Sequence, residues 1–226
     1  MNAEVTRPLA IVTGASSGIG LELARECARN GFDLLIAADR PLETAVEELK
    51  ALGADVEPVE ADLATPEGVG KLCGRAAGGQ VDALVANAGY GWGGAFLDQS
   101  FEEITHIIDA NITGTLALIH QIGGDMRART SGRILIVGSI AGYQPGRFQA
   151  VYNASKAFID SFSWALRNEL KDTGVTVTCL MPGATDTEFF GRSGRSDTGI
   201  GADESTVDPV EIARIGFKAM MAYSTP

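Results

Sequence analysis

The sequence predicts an α/β fold, a doubly wound parallel sheet with helices on both faces. Three observations predict it. Short apolar runs of strand length alternate with longer stretches of helical periodicity along most of the 226 residues, and parallel strands need crossovers of this kind. A tight glycine loop joins the first such strand to the first helix. The later strand-like runs close on small or polar residues, at Asn87-Ala88-Gly89, Gly138-Ser139 and Pro182-Gly183.

The elements follow in order. Leu9 to Thr13 is an apolar strand, and Gly14-Ala15-Ser16-Ser17-Gly18-Ile19-Gly20 is the glycine loop. Ile19 to Asn30 has helical periodicity through Leu21, Leu23, Ala24 and Cys27, and Gly31 stops it, as a C-terminal glycine commonly does. Asp33 to Ala38 is the second strand. Pro41 suits the first turn of a helix reaching about Leu52. Val56 to Ala61 is the third strand, and Pro66 starts a helix to about Ala77. Asp82 to Ala86 is the fourth strand. Phe101 to Arg129 reads as one long helix. Ile134 to Val137 is a short buried strand. A turn-rich segment with Gly142, Pro145 and Gly146 follows it. A helix then runs from the Tyr152 region to about Thr173. Val175 to Leu180 is the sixth strand, and Val207 to Met221 the last helix. No internal repeat or low-complexity block interrupts the pattern, so one domain spanning 1–226 is expected.

Composition narrows the function classes. Hydrophobic residues make up 45% and charged residues 21%, as in an ordinary soluble globular protein. No apolar run approaches the roughly 18 residues of a membrane span. The N-terminal MNAEVTRPLAIVTG has too short an apolar stretch for a secretory signal, so a cytoplasmic location is expected. Three cysteines, Cys27, Cys73 and Cys179, sit in apolar-periodic contexts. They read as buried reduced thiols, with no disulfide framework and no metal site. A net charge of −11 argues against nucleic acid or an anionic membrane as partner.

Two stretches carry chemistry. A strand, a glycine loop and a helix N-terminus form an anion site, because backbone N–H groups and the helix dipole both face the anion. Glycines let the backbone approach a pyrophosphate closely. The spacing is G-x-x-x-G-x-G, from Gly14 through Gly18 to Gly20. The second stretch is Arg133 to Lys156. Ser139 stands at a strand end, and Tyr152 and Lys156 are four apart on one helix face. A phenol beside an ammonium, with a hydroxyl near by, outlines a proton-transfer site.

The ordered set Thr13-Gly14-Ala15-Ser16-Ser17-Gly18-Ile19-Gly20, Asp62-Leu63, Asn87-Ala88-Gly89, Asn111, Ser139, Tyr152-x-x-x-Lys156 and Pro182-Gly183 resembles the short-chain dehydrogenase/reductase family. The likeness is to its single-domain branch of about 250 residues and covers Leu9 to about Met221. It implies a Rossmann-type fold and an NAD(P)-dependent oxidoreductase acting on a carbonyl/alcohol pair. Tyr152 would be the general acid or base. A free phenol titrates near 10, and Lys156 would stabilise its phenolate while bonding the nicotinamide ribose. Ser139 would hydrogen-bond the substrate oxygen. Asn111, a weak helix former inside the long helix, would support a water chain to the lysine. For the cofactor, the resemblance implies Gly14, Ser16, Ser17, Gly18, Ile19 and Gly20 at the phosphates. Asp62 and Leu63 would meet the adenine, and Asn87, Ala88 and Gly89 would line the middle. Pro182, Gly183, Thr185 and Thr187 would lie at the nicotinamide; Thr187 also reads as a helix cap.

Cofactor choice turns on the end of the second strand. Ser17 occupies one place where members using NADP commonly carry a basic residue. Asp39 occupies the other, and a carboxylate there would repel a 2′-phosphate. The family's usual NAD-selecting aspartate falls one residue earlier, at Ala38, and Arg40 could swing onto that phosphate instead. The balance favours NAD. Tyr90, Trp92 and Phe96, with Tyr143, Gln144 and Phe148, are candidate pocket walls for an apolar or ring-bearing substrate. A lid is expected over 189–206. His106 and His120 read as surface or interface residues. The family's usual seventh strand has no counterpart before Pro226, which leaves an unpaired edge. A homodimer or homotetramer is expected, with a dimer through the Phe101–Arg129 helix and the helix after Tyr152. Two other classes stand beside the oxidoreductase. One is a catalytically silent nucleotide-binding sensor or regulator, and the other a dehydratase or epimerase on the same scaffold.

Overall fold

The computed structural model describes residues 7–183, 185 and 207–222. The first half comprises β1 (Leu9–Thr13), α1 (Gly18–Arg29), β2 (Asp33–Ala38), α2 (Glu43–Ala51), β3 (Val56–Glu60), α3 (Pro66–Ala76) and β4 (Val81–Ala86). The second half comprises α4 (Phe101–Ile108), α5 (Gly114–Ala128), β5 (Gly132–Val137), α6 (Ala150–Glu169), β6 (Val175–Leu180) and α7 (Pro209–Ala222). The strands form one sheet in the order β3-β2-β1-β4-β5-β6, and every neighbouring pair is parallel. The doubly wound expectation therefore holds. Chain direction across the sheet reverses between β1 and β4. Loops diverge there at the carboxyl ends of the strands and leave a crevice.

Near-continuous apolar strands are what a sheet covered on both faces requires, and alternate residues serve opposite layers. Ala10, Val12, Leu34, Ile36, Val85 and Leu135 face Leu23 of α1, Leu49 of α2 and Phe217 of α7. The Phe32 and Phe217 rings meet edge to face at 6.3 Å. Ile11, Leu35, Leu84, Ile134 and Ile136 face Leu72 of α3, Leu118 of α5 and Ile159 of α6. Cys27 and Cys73 lie in these layers, and all three cysteines are free thiols. Burial pushes the Cys27 thiol up to about 12.

Both sheet edges have a physical reason. Pro58 lies in β3, where a missing donor costs the ladder nothing on its open side. β6 forms the other edge among the described residues. Helix α7 packs against its end, where Gly216 admits Leu180: a Cβ there would lie 2.6 Å from Leu180 Cδ2.

One element differs from expectation. The helix expected over Phe101–Arg129 is divided into α4, a π turn over Asp109–Thr113 and α5. Ser100 and Glu103 close a reciprocal cap at the start of α4. The wider turn places Asn111 inward, 3% exposed, as π turns at functional positions often do. At its end Gly114 packs directly on the Leu63 carbonyl, where a Cβ would overlap the oxygen. Helix periodicity cannot register one inserted residue, so the break is silent in the sequence. The boundary before α2 also shifts: Pro41 precedes the helix, which starts at Glu43.

Gly114→Ala is expected to destabilise the protein by about 1–3 kcal/mol through this overlap, read by urea unfolding. Wild-type stability in the variant would show that the α5–Leu63 contact is not tight.

Candidate active site

The site is a cleft of about 740 Å³ along the carboxyl ends of the strands. Its first wall is the loop between β1 and α1. Gly14 and Gly18 have φ of +66° and +58°, the left-handed region that favours glycine. A Cβ on Gly20 would overlap the Gly14 carbonyl, so the loop can close only with glycine there. Ser17, at the N-cap of α1, makes no capping bond, and the first turn holds no acidic residue. The first N–H groups of α1 are therefore left for an anion. Gly14, Ser16, Ser17, Gly18, Ile19 and Gly20 all line the cleft. A glycine cradle at an uncapped helix N-terminus, opening on a cleft of this size, fits a nicotinamide dinucleotide.

Thr13, which opens the glycine-loop motif with no site role of its own, holds the crevice together. It is buried, and its Oγ1 accepts from Asn87 N at 3.0 Å and Ala88 N at 2.9 Å. Asn87 Nδ2 returns a bond to Thr13 O at 2.9 Å. The ends of β1 and β4 are thereby locked across the point where the winding reverses. Asn87, Ala88 and Gly89 line the cleft beside them. Asp39, Arg40, Asp62 and Leu63 line its far end. One Asp62 oxygen accepts from Ala64 N at 2.9 Å.

The proton-transfer candidates meet at the opposite end. Ser139 follows β5, and Tyr152 and Lys156 lie on α6; all three line the cleft. Lys156 Nζ stands 5.9 Å from the centre of the Tyr152 ring and donates to Val137 O at 3.0 Å. Burial lowers the Lys156 ammonium to about 8, with the Asp160 carboxylate acting in the opposite sense. Ser139 Oγ accepts from Ala141 N at 3.1 Å, starting the 3₁₀ turn Ile140–Tyr143, and reaches Pro182 O at 3.4 Å. Pro182, Gly183 and Thr185 line the cleft next to it, and Thr185 Oγ1 donates to Gly183 O at 3.0 Å. Thr187 and the expected lid over 189–206 lie outside the described residues.

Asn111 does not line the cleft; it sits directly behind it. Its Oδ1 accepts from Tyr90 N at 2.6 Å, and its Nδ2 donates to Tyr90 O and to Ser155 Oγ, both at 2.9 Å. A Cβ on Gly89 would lie 3.2 Å from Asn111 Oδ1 and 3.7 Å from Lys156 Nζ. The π turn thus ties the loop after β4 to α6, close to the lysine.

The side walls differ in part from expectation. Tyr90, Tyr143 and Gln144 line the cleft, whereas Trp92, Phe96 and Phe148 are not among the lining residues. Trp92 instead stacks on Tyr90 at 6.5 Å. His106, read from the sequence as a surface or interface residue, lines the cleft and meets Tyr90 edge to face at 4.8 Å. Its position one turn before the π segment carried no signal. Arg147 also lines the cleft and lies over Phe148 at 4.6 Å.

Comparison with known proteins gives the family. The family model described as short chain dehydrogenase matches residues 8–197. The chain belongs to the short-chain dehydrogenase/reductase family. It is 40% identical to an uncharacterized oxidoreductase of Myxococcus xanthus over 193 residues, 83% of this chain and 76% of that protein. A short-chain dehydrogenase from Sphingobium yanoikuyae, solved with NADPH, superposes with a TM-score of 0.87 at 31% identity, covering 94% of this chain and 85% of the other. A variant of the actinorhodin polyketide ketoreductase, also solved with NADPH, gives 0.82 at 31% identity, covering 92% and 88%. The protein is accordingly an NAD(P)-dependent oxidoreductase of this family, acting on CH–OH and C=O groups.

Proposed function

We propose that this short-chain dehydrogenase/reductase interconverts a secondary alcohol and a carbonyl compound, with Tyr152 as the general acid/base. The observation that carries this reading is the placement of Tyr152 and Lys156 on one face of α6, in the same cleft as Ser139 and the glycine cradle. Bound in that cleft, a nicotinamide ring would supply or accept the hydride. The loop from Gly14 to Gly20 would hold the phosphates, Asp62 and Leu63 the adenine, and Asn87, Ala88 and Gly89 the middle. Pro182, Gly183, Thr185 and Thr187 would hold the carboxamide end.

The chain's own residues then divide the work. Ser139 Oγ donates to the substrate oxygen and fixes it beside the phenol. Tyr152 gives its proton to that oxygen in reduction and takes it back in oxidation. Lys156 sets the ease of that transfer, because a neighbouring ammonium favours the phenolate. Asn111 ties the Tyr90 backbone to Ser155, the residue before the lysine on α6, and so steadies that segment. Tyr90 and Tyr143 give the substrate end aromatic walls, which suit an apolar or ring-bearing carbonyl. No feature among the described residues favours a silent sensor.

For the cofactor, Asp39, which lines the cleft beyond β2, supports a preference for NAD, because a carboxylate near the adenosine ribose would repel a 2′-phosphate. The two solved relatives named above hold NADPH, so this preference rests on Asp39 alone. For assembly, the exposed Phe101 of α4 and Phe158 and Trp164 of α6 support a dimer through these helices.

Tyr152→Phe is expected to lower kcat on a panel of ketones and alcohols by at least about 10²-fold, with cofactor binding by fluorescence retained. An active Tyr152→Phe enzyme sinks the mechanism, and cofactor binding by the wild type without turnover on any panel member favours the sensor. The ratio of kcat/KM for NADH over NADPH is expected to exceed one and to fall in Asp39→Ala; a strong NADPH preference in the wild type removes the NAD assignment. Sedimentation equilibrium is expected to give a dimer, and a monomer at all concentrations contradicts the helix interface.

A further inference from the structure

Asp160 is a buried carboxylate with no part in the mechanism above. It lies one turn after Lys156 on α6 and is 6% exposed. Carboxylates are rarely buried so fully unless paired or hydrogen-bonded. Its Oδ1 accepts from Ser139 N at 3.3 Å and from Cys179 Sγ at 3.8 Å. Its Oδ2 is buried without a hydrogen-bond partner among the described residues.

The backbone makes room for it twice. A Cβ on Gly138 would overlap Asp160 Oδ1, and one on Gly142 would overlap Oδ2. Two glycines flanking Ser139 therefore leave space for one acid beneath the turn that carries this serine. A carboxylate so enclosed is costly to the fold. It is anchored to the serine's own amide and stands one turn from the lysine.

We propose that Asp160 is a positioning residue for the proton-transfer site: its carboxylate anchors the Ser139 end of β5 through the Ser139 amide and serves as the counter-charge of Lys156. The proposal rests on the reading of Ser139, Tyr152 and Lys156 as the reacting set. Burial pushes Asp160 up, while the Ser139 amide, the Lys156 ammonium and the Cys179 thiol draw it down. The opposite influence falls on Lys156, which burial lowers and Asp160 raises. Lys156 from α6 and Cys179 from β6 are the titratable groups that act on it. Of the other elements against α6, Asp109 in the π turn accepts the Thr113 hydroxyl. Tyr143 in the 3₁₀ turn turns to Met181, and His106 of α4 packs on Tyr90.

The sign follows. Removing the carboxylate lowers Lys156 further, so its ammonium is lost at a lower pH. Carbonyl reduction, which uses that ammonium, then declines earlier as pH rises.

The test is Asp160→Asn, which keeps the shape and an acceptor for Ser139 N but removes the charge. Asp160→Ser replaces it if the amide does not fold. Competitive amine labelling of the protein without cofactor, read by mass spectrometry at the Lys156 peptide, reports the lysine directly. Wild-type labelling is expected to have its midpoint at about 8, and the variant's to lie about one pH unit lower. The alkaline limb of kcat/KM, on a ketone that the wild type reduces, is expected to move down by the same amount, with little change near pH 6. The proposal is overturned if either the labelling midpoint or the limb stays where the wild type has it. Tyr152→Phe separates the two readings. Activity surviving in it defeats the reacting set, whereas an inactive Tyr152→Phe with an unmoved Asp160→Asn profile defeats the positioning role alone.

Discussion

The buried ammonium of Lys156 is the constraint around which the site is arranged. A lysine in this position is costly, because burial disfavours its charge. Four groups keep it usable. The Val137 carbonyl, at the end of β5, accepts a hydrogen bond from its Nζ at 3.0 Å. Asp160 opposes the loss of charge. The Asn111 side chain and the small Gly89 close the space behind it. Each of these comes from a different segment, so the lysine's environment exists only once β4, β5, α6 and the π turn have assembled.

The same assembly explains the density of close backbone approaches at this end of the sheet. Gly20 meets the Gly14 carbonyl, Gly114 meets the Leu63 carbonyl, and Gly138 and Gly142 meet the Asp160 carboxylate. Of these residues Gly14, Gly20, Leu63 and Gly138 line the cleft itself. Thr13 and Asn87 fix the two central strands across that crevice. The far layers of the core, through Leu49, Leu72 and Phe217, serve to hold this edge in register.

Much of this was legible in the sequence because it rests on local pattern. The strands are continuous apolar runs, the glycine loop needs its spacing, and Tyr152 and Lys156 share a face by helical periodicity alone. What the sequence hid was contact between distant segments. Asn111 fell within a run of unbroken helical period, so the π turn that points it inward left no trace. His106 lines the cleft only because α4 turns it toward Tyr90. Asp160 was in principle visible, as an acid four residues after the lysine in an apolar helix. Its meaning depends on Gly138 and Gly142, which are distant in sequence and meet it only through the fold.

The most direct test of hydride exchange in this cleft is the fate of an isotopic label. Reduced nicotinamide cofactor carrying deuterium at the transferable position is incubated with the enzyme and a ring-bearing ketone, and the alcohol is analysed by mass spectrometry. Deuterium at the carbinol carbon of the product, lost when Tyr152 is replaced by phenylalanine, is the expected result. Alcohol formed without the label, or labelled alcohol formed equally well without the phenol, would contradict the role assigned to Tyr152 and its buried lysine.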